Sequence, residues 1–241
     1  MLSKNEAKYI QSLSHKKFRQ DSGLFIAEGV KLIDELLKSS FKIKKLYATD
    51  DWEPVASGDY DLVRVSAEEL RKISLLQTAH QVLALVEEPA EGPLPDLSGQ
   101  LVLALDGIQD PGNMGTLIRI ADWFGIHTIL ASEDTVDCFN PKVVQSSMGS
   151  IFRVKLHYTD LKECLSSAKI PVYGALLEGK PVYLIDRPEQ GVLLIGNESK
   201  GIQPALKPFI THPVNIPRIG EAESLNAAVA AGIILSHFRK P

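Results

Sequence analysis

From residue 101 onward the chain alternates short, continuous apolar runs with helical stretches, and that alternation leaves few folds open. The strand-like runs are 101–105, 128–130, 151–156, 172–176, 192–195 and 213–216. Helical patterns fall near 114–124, 141–148, 160–168, 203–209 and 224–239, with Asn140 as a cap and Pro141 at the first position of the second. Strands without polar alternation are buried on both faces. The pattern therefore predicts an α/β fold whose mostly parallel sheet is covered by helices on both sides. Ligands of such sheets gather outside the carboxyl ends of the strands. There is no internal repeat and no low-complexity tract.

The first 88 residues read as a separate, smaller α/β module. Ser3 and Glu6 form a capping-box pair opening a helix to about Ser12, and Ser66 with Glu69 repeats the pattern. Apolar residues near helical spacing, at Leu32, Ile33, Leu36 and Leu37, predict a helix within 24–37, and strand-like runs follow at 43–48, 61–65 and 81–86. Residues 87–100 hold three prolines, two glycines and four acids, a composition that cannot supply a periodic core. The expected organisation is thus a module at 1–88, a linker at 89–100 and a larger domain at 101–241.

Charge divides the first module. Residues 1–48 carry ten Lys/Arg against five acids, and 49–95 carry three against ten, on a chain of net charge −4. The basic residues Lys16, Lys17 and Arg19 are candidates for contacting RNA phosphates, although charge alone equally describes a solvated helix face. The two cysteines, Cys138 and Cys164, are far apart and lack histidines at ligand spacing, so neither a metal site nor a disulfide framework is expected. The chain starts without the apolar core of a signal peptide and has no apolar run long enough to span a bilayer, which predicts a cytoplasmic protein. The six histidines form no triad-like spacing with Ser or Cys.

Three stretches place Gly, Pro and Asn where apolar strands give way to helices. They are Asp110-Pro-Gly-Asn-Met-Gly-Thr-Leu-Ile-Arg119, Leu194-Ile-Gly-Asn-Glu-Ser-Lys-Gly-Ile202 and Ile216-Pro-Arg-Ile-Gly-Glu-Ala-Glu-Ser-Leu-Asn226. A phosphate loop is excluded because Ile202 stands where a Walker lysine is required, and no G-x-G-x-x-G follows the first strand of the larger domain. Read singly, Asn113 is a helix cap, Arg119 a surface cation, Glu198 a solvated strand end and Ser224 a cap. Asn226, placed inside the first turn of the last helix, has less structural reason to be there. The run Ala227–Gly232 is small enough for another backbone to approach closely.

Together, in this order and spacing, the three stretches resemble the signature motifs of the SpoU-type (TrmH-like) RNA ribose 2′-O-methyltransferases of the SPOUT superfamily. The resemblance covers about residues 100–241. Thr116, Leu117 and Ile120 replace the residues usual in that motif, on its packing side. The segment 12–29 is similar to the start of this family's RNA-binding extension, a small fold like a ribosomal protein, and 140–149 resembles a further family segment whose Ser147 and Gly149 shape either a substrate loop or only the fold. The resemblance implies a C-terminal trefoil knot, which no periodicity predicts, and an S-adenosyl-L-methionine cofactor without a metal. It implies Asn113, Arg119, Glu198, Ser224 and Asn226 at the reaction centre, and Leu176, Gly196, Asn197, Ile216, Pro217 and Leu225 around the cofactor. It further implies methylation of a ribose 2′-hydroxyl in structured RNA by a homodimer joined through its catalytic domains, which would place Arg119 in its own or its partner's site. Ribosomal RNA is the first expectation. Transfer RNA, or a non-catalytic ribosome-associated protein of the same fold, is the alternative.

Overall fold

The computed structural model describes residues 2–56, 58–90 and 92–239. It divides into two compact units, residues 1–90 with 137–153, and residues 91–136 with 154–241. Helices α1 (Lys4–Ser12) and α2 (Lys16–Ser22), strand β1 (Leu24–Glu28), α3 (Val30–Leu36), β2 (Ile43–Ala48), β3 (Asp61–Arg64), α4 (Ala67–Ile73) and β4 (Val82–Glu87) build the first unit. Its four strands lie in the order β1-β4-β2-β3, antiparallel except for β2 beside β3. Ser66 and Glu69 close the capping box on α4 that their spacing predicts, whereas at α1 only half of the expected box forms: Ser3 accepts from the Glu6 N–H, but the Glu6 side chain turns to other partners. Glu6 accepts from Tyr47 Oη and Lys45 Nζ, and these bonds hold its carboxyl below the usual carboxylate range.

The chain continues through β5 (Leu101–Asp106), α5 (Pro111–Trp123) and β6 (Thr128–Ala131) in the second unit. It then enters the first unit at α6 (Pro141–Ser147) before returning as β7 (Lys155–Tyr158), α7 (Leu161–Ser167), β8 (Val172–Pro181), β9 (Gly191–Gly196), β10 (His212–Asn215) and α8 (Ala227–Phe238). The second unit's six strands are all parallel, in the order β10-β8-β9-β5-β6-β7. Every residue of β5 and β6 is buried, as is Gly191–Ile195 of β9, which is the continuous apolar pattern of a sheet covered on both faces. No helix among the described residues is long and apolar enough to cross a membrane.

Four differences from the sequence reading have physical causes. The helix read into 24–37 is strand β1 followed by α3, with Gly29 at φ +107° between them. Strand β1 is an edge strand buried on both faces because α6 and its flank cover it, Phe139 stacking on Phe25 at 4.5 Å. A fully buried strand loses its period of two, so helix and strand look alike there. Helix α2, ended by Gly23 in the left-handed region, shows no apolar periodicity because the residue it buries is Arg19. The strand expected at 151–156 begins only at Lys155, because Ser150–Phe152 is a single 3₁₀ turn whose Phe152 packs edge-on against Phe41. Finally, the helix expected over 203–209 is one turn, Lys207–Phe209. Pro204 and Pro208 withhold backbone donors there, and Gln203 is tied elsewhere.

The expectation that residue 101 opens one uninterrupted domain also meets a difference. Residues 137–153 group with the N-terminal unit, and the anchor is electrostatic as well as apolar. Arg19, 1% exposed, donates to Leu13 O (2.9 Å), Ser14 O (3.0 Å) and the Asp137 carboxylate. Farther along, Arg153 Nη1 meets Glu35 Oε2 at 2.6 Å, and the Glu35 carboxyl, held also by Lys38, lies below the usual carboxylate range.

Candidate active site

The parallel sheet of the second unit ends, on its carboxyl side, at Asp106 and Gly196, which are register partners on β5 and β9. The loops leaving these two strands and the approach to α8 carry the three motifs. Asp110 caps α5 by accepting from the Asn113 N–H, and Pro111 takes the first helical position. This cap aims the Asn113 side chain outward from the first turn. Asn113 Nδ2 donates to Glu198 Oε1 at 2.8 Å, and Asn113 Oδ1 accepts from Asn226 Nδ2 at 2.8 Å. Residues 85 and 113 positions apart from Asn113 are thus joined into one chain, Glu198–Asn113–Asn226.

Each end of the chain is fixed by backbone. Asn226 is the cap of α8, its Oδ1 accepting from the Ala228 and Val229 N–H groups. The expectation that Ser224 caps this helix and that Asn226 lies inside it is therefore corrected by two residues; Ser224 precedes the helix and is exposed. Glu198 sits in a closed loop in which Asn197 and Gly201 exchange backbone hydrogen bonds. Asn197 Oδ1 accepts from the Ser199 and Lys200 N–H groups, while its Nδ2 donates to Gly107 O at 2.6 Å. Gly196 leads into this loop under a tight steric limit. A Cβ there would lie 2.3 Å from Gly201 C and 2.3 Å from Ile202 N, so glycine is required by the chain's own backbone.

One residue of this site escaped the sequence reading. Asp106, fully buried at the end of β5, accepts from Gln203 N (2.6 Å) and Gln203 Nε2 (2.8 Å). It latches the far side of the Glu198 loop to the sheet, as Asn197 latches the near side. Burial pushes its carboxyl up and the nearby Asp134 adds to this, while the bonds from Gln203 oppose the shift. Its sequence signal was a lone acid closing an otherwise apolar strand.

The residues expected around the cofactor lie within β8, at and just beyond the end of β9, just after β10 and just before α8. Asn215 Nδ2 donates to Leu177 O at 3.3 Å, which ties the start of the Ile216-Pro217 turn to β8 just beyond Leu176. Leu176 and Ile216 are half-buried, Pro217 is exposed, and Leu225 is 48% exposed. The space around Gly220 is open, no atom beyond its own chain neighbours lying within 4 Å of where its Cβ would be. Apolar side chains beside accessible loop backbone suit a ligand with an adenine ring and a charged amino-acid tail, so S-adenosylmethionine fits these residues. No group of three or more metal-ligating side chains occurs among the described residues.

Arg119 does not join the Asn113 chain. It is exposed, six residues along α5 from Asn113, and at about 100° per residue it points roughly 120° away from Asn113 around the axis. Nor does Gly232 require a close backbone approach, since a Cβ there would meet Ile120 Cδ1 at an ordinary 3.6 Å. In the first unit Lys16 and Lys17 are exposed on α2. Arg19, expected among the RNA contacts, is buried and ion-paired to Asp137, so it offers no charge to a ligand surface.

A parallel sheet whose strand ends gather side chains from three separate loops is an α/β fold with its polar cluster where such folds hold their ligands. The comparisons name the family. The profile of the SpoU rRNA Methylase family matches residues 100–236, and that of the MRM3-like substrate binding domain matches residues 4–84. The chain belongs to the SpoU rRNA methylase family. It is 32% identical to the Bacillus subtilis 23S rRNA (guanosine(2553)-2′-O)-methyltransferase RlmP, over 95% of this chain and 94% of that protein. Among solved structures it is similar to a Porphyromonas gingivalis protein of the TrmH family of RNA methyltransferases (TM-score 0.91, 37% identity, 100% of this chain and 99% of that one). It also resembles the Streptomyces viridochromogenes SpoU methyltransferase AviRb in complex with AdoMet (TM-score 0.85, 25% identity, 99% and 98%).

Proposed function

We propose that this protein transfers the methyl group of S-adenosylmethionine to a ribose 2′-hydroxyl of ribosomal RNA, in the cytoplasm and as a homodimer. The observation that carries the reading is the Glu198–Asn113–Asn226 chain, which draws all three motifs to the ends of β5 and β9. The cofactor supplies an activated methyl group, so the chain's own residues have two tasks: to align the acceptor hydroxyl and to ease loss of its proton. Asn113, held on both sides, presents a fixed amide at the centre of the site. Glu198 orients that amide from a loop latched twice to the sheet. Leu176, Ile216, Pro217 and Leu225 hold the cofactor's ring, and Asn197 with Gly196 shapes the backbone next to it.

Arg119 is best assigned to the partner's site. Within one chain it stands apart from the polar network, and its helix also exposes Trp123 (81%), while α8, packed on α5, exposes Val229 (50%). An apolar face of this kind supports subunit pairing. A guanidinium stays protonated, so Arg119 clamps a phosphate and orients the hydroxyl, with the proton passing to water. The trefoil knot belongs to this reading too.

The test mixes inactive Arg119→Ala and Glu198→Ala proteins. With Arg119 acting across the interface, a heterodimer gathers both lesions in one site and leaves the other whole, so methyl incorporation into ribosomal RNA returns in part. No recovery despite demonstrated subunit exchange refutes the shared site, and wild-type protein that methylates no RNA refutes the enzyme.

A further inference from the structure

The first unit contains a cavity of about 480 Å³ that none of the chemistry above uses. Ile26, Leu76 and Pro141 give it apolar lining, and two glutamines, Gln77 and Gln145, line it as well. That size is within the ~300–1,000 Å³ of ordinary small-molecule pockets. Its wall is built before any ligand arrives. Glu28, 3% exposed, accepts from Ser74 Oγ and from Leu75 N at 3.1 Å, and Ser74 Oγ accepts from Leu76 N at 3.1 Å. The buried carboxylate thus fixes the turn that carries Leu76 and Gln77. Ser14 lines the cavity as well, and two residues later α2 begins, exposing Lys16, Lys17 and Phe18.

Apolar walls accept the faces of a planar ring, and paired amides can donate to and accept from its edge. Cations and an exposed aromatic ring next along the chain suit the attached sugar-phosphate backbone. We propose that this cavity holds one unstacked base of the RNA substrate, read at its edge by Gln77 and Gln145, with the flanking phosphates on Lys16 and Lys17. The proposal rests on the ribosomal RNA reading and gives the first unit a way to choose a sequence rather than a shape alone. The segment 137–153 is then part of the RNA-binding surface, because Pro141 and Gln145 come from it.

The experiment uses the full-length protein and unmodified 23S ribosomal RNA. Ultraviolet cross-linking followed by mass spectrometry should place a nucleotide on residues 75–77 or 140–146. Gln145→Trp, which fills the cavity from a half-buried position, should weaken RNA binding about tenfold with the salt dependence unchanged. Gln77→Ala, at an exposed position, should weaken it in the same sense if Gln145→Trp disturbs folding. Lys16→Ala with Lys17→Ala should instead flatten the salt dependence. Cross-links confined to other peptides, with wild-type affinity in folded Gln145→Trp or Gln77→Ala, overturn the pocket while leaving the methyltransferase reading intact. Wild-type protein that neither binds nor methylates the RNA overturns both.

Discussion

Replacing Arg19 with Met tests whether this cation belongs to the fold or to the RNA. The substitution keeps the apolar stem and removes a guanidinium that is 1% exposed. Leu13 O and Ser14 O lose donors at 2.9 and 3.0 Å, and Asp137 loses its cation. Removing one partner of a buried pair costs about 3–5 kcal/mol because the other charge is stranded. Asp137 is 17% exposed and also accepts from Phe139 N at 3.0 Å, so water and that amide relieve part of the cost and the lower end, about 3 kcal/mol, applies. Glu88 adds to the strain. Burial already pushes its carboxyl up, Asp137 pushes it further, and Arg19 is the opposing charge that the variant deletes. In a unit of this size, about 3 kcal/mol lowers the thermal midpoint by about 12–24 °C. Circular dichroism melts of Arg19→Met, Asp137→Asn and the double variant should show a large loss in the first and partial recovery in the third, since the stranded charge is then gone. A melt within about 1 kcal/mol of wild type, accompanied by a flatter salt dependence of RNA binding, would refute the reasoning and restore Arg19 as a phosphate contact.

Two further outcomes follow from the second unit. Gly196→Ala should already abolish S-adenosylmethionine binding measured by calorimetry, because its Cβ would sit 2.3 Å from the Gly201–Ile202 backbone and must displace the Glu198 loop; unchanged affinity would mean that the loop does not shape the cradle. Asn113→Ala should lower kcat by about a hundredfold, the scale of losing one preorganised polar group, with a melting midpoint near wild type, whereas Asn226→Ala should lose both activity and about 1 kcal/mol of stability because Asn226 also caps α8; equal melting behaviour in the two variants would argue against the double role of Asn226.

What the sequence determined by itself was the alternation of strands and helices from residue 101 onward and the three motifs whose residues meet at the strand ends. The apolar runs of β5, β6 and β9 are buried on both faces, as interior strands of a covered parallel sheet are. The capping box at Ser66 is local chemistry, complete within four residues, and was legible for that reason, whereas at Ser3 only the serine's half forms because distant Lys45 and Tyr47 hold Glu6. The motifs supplied Asn113, Glu198 and Asn226, but nothing local says that their side chains meet. That meeting depends on the parallel register that brings Asp106 beside Gly196, and on caps that orient Asn113 and Asn226 toward each other. Tertiary structure alone also decided the fate of Arg19 and the role of Gly196. Both sit in stretches that look like surface or ligand loop, yet one is enclosed by a segment 118 residues away and the other touches backbone five residues on. Asp106 escaped for the same reason, since its partner Gln203 is 97 residues distant. Burial and pairing at such separations are properties of the packed chain, and local residue patterns carry no record of which distant group will arrive.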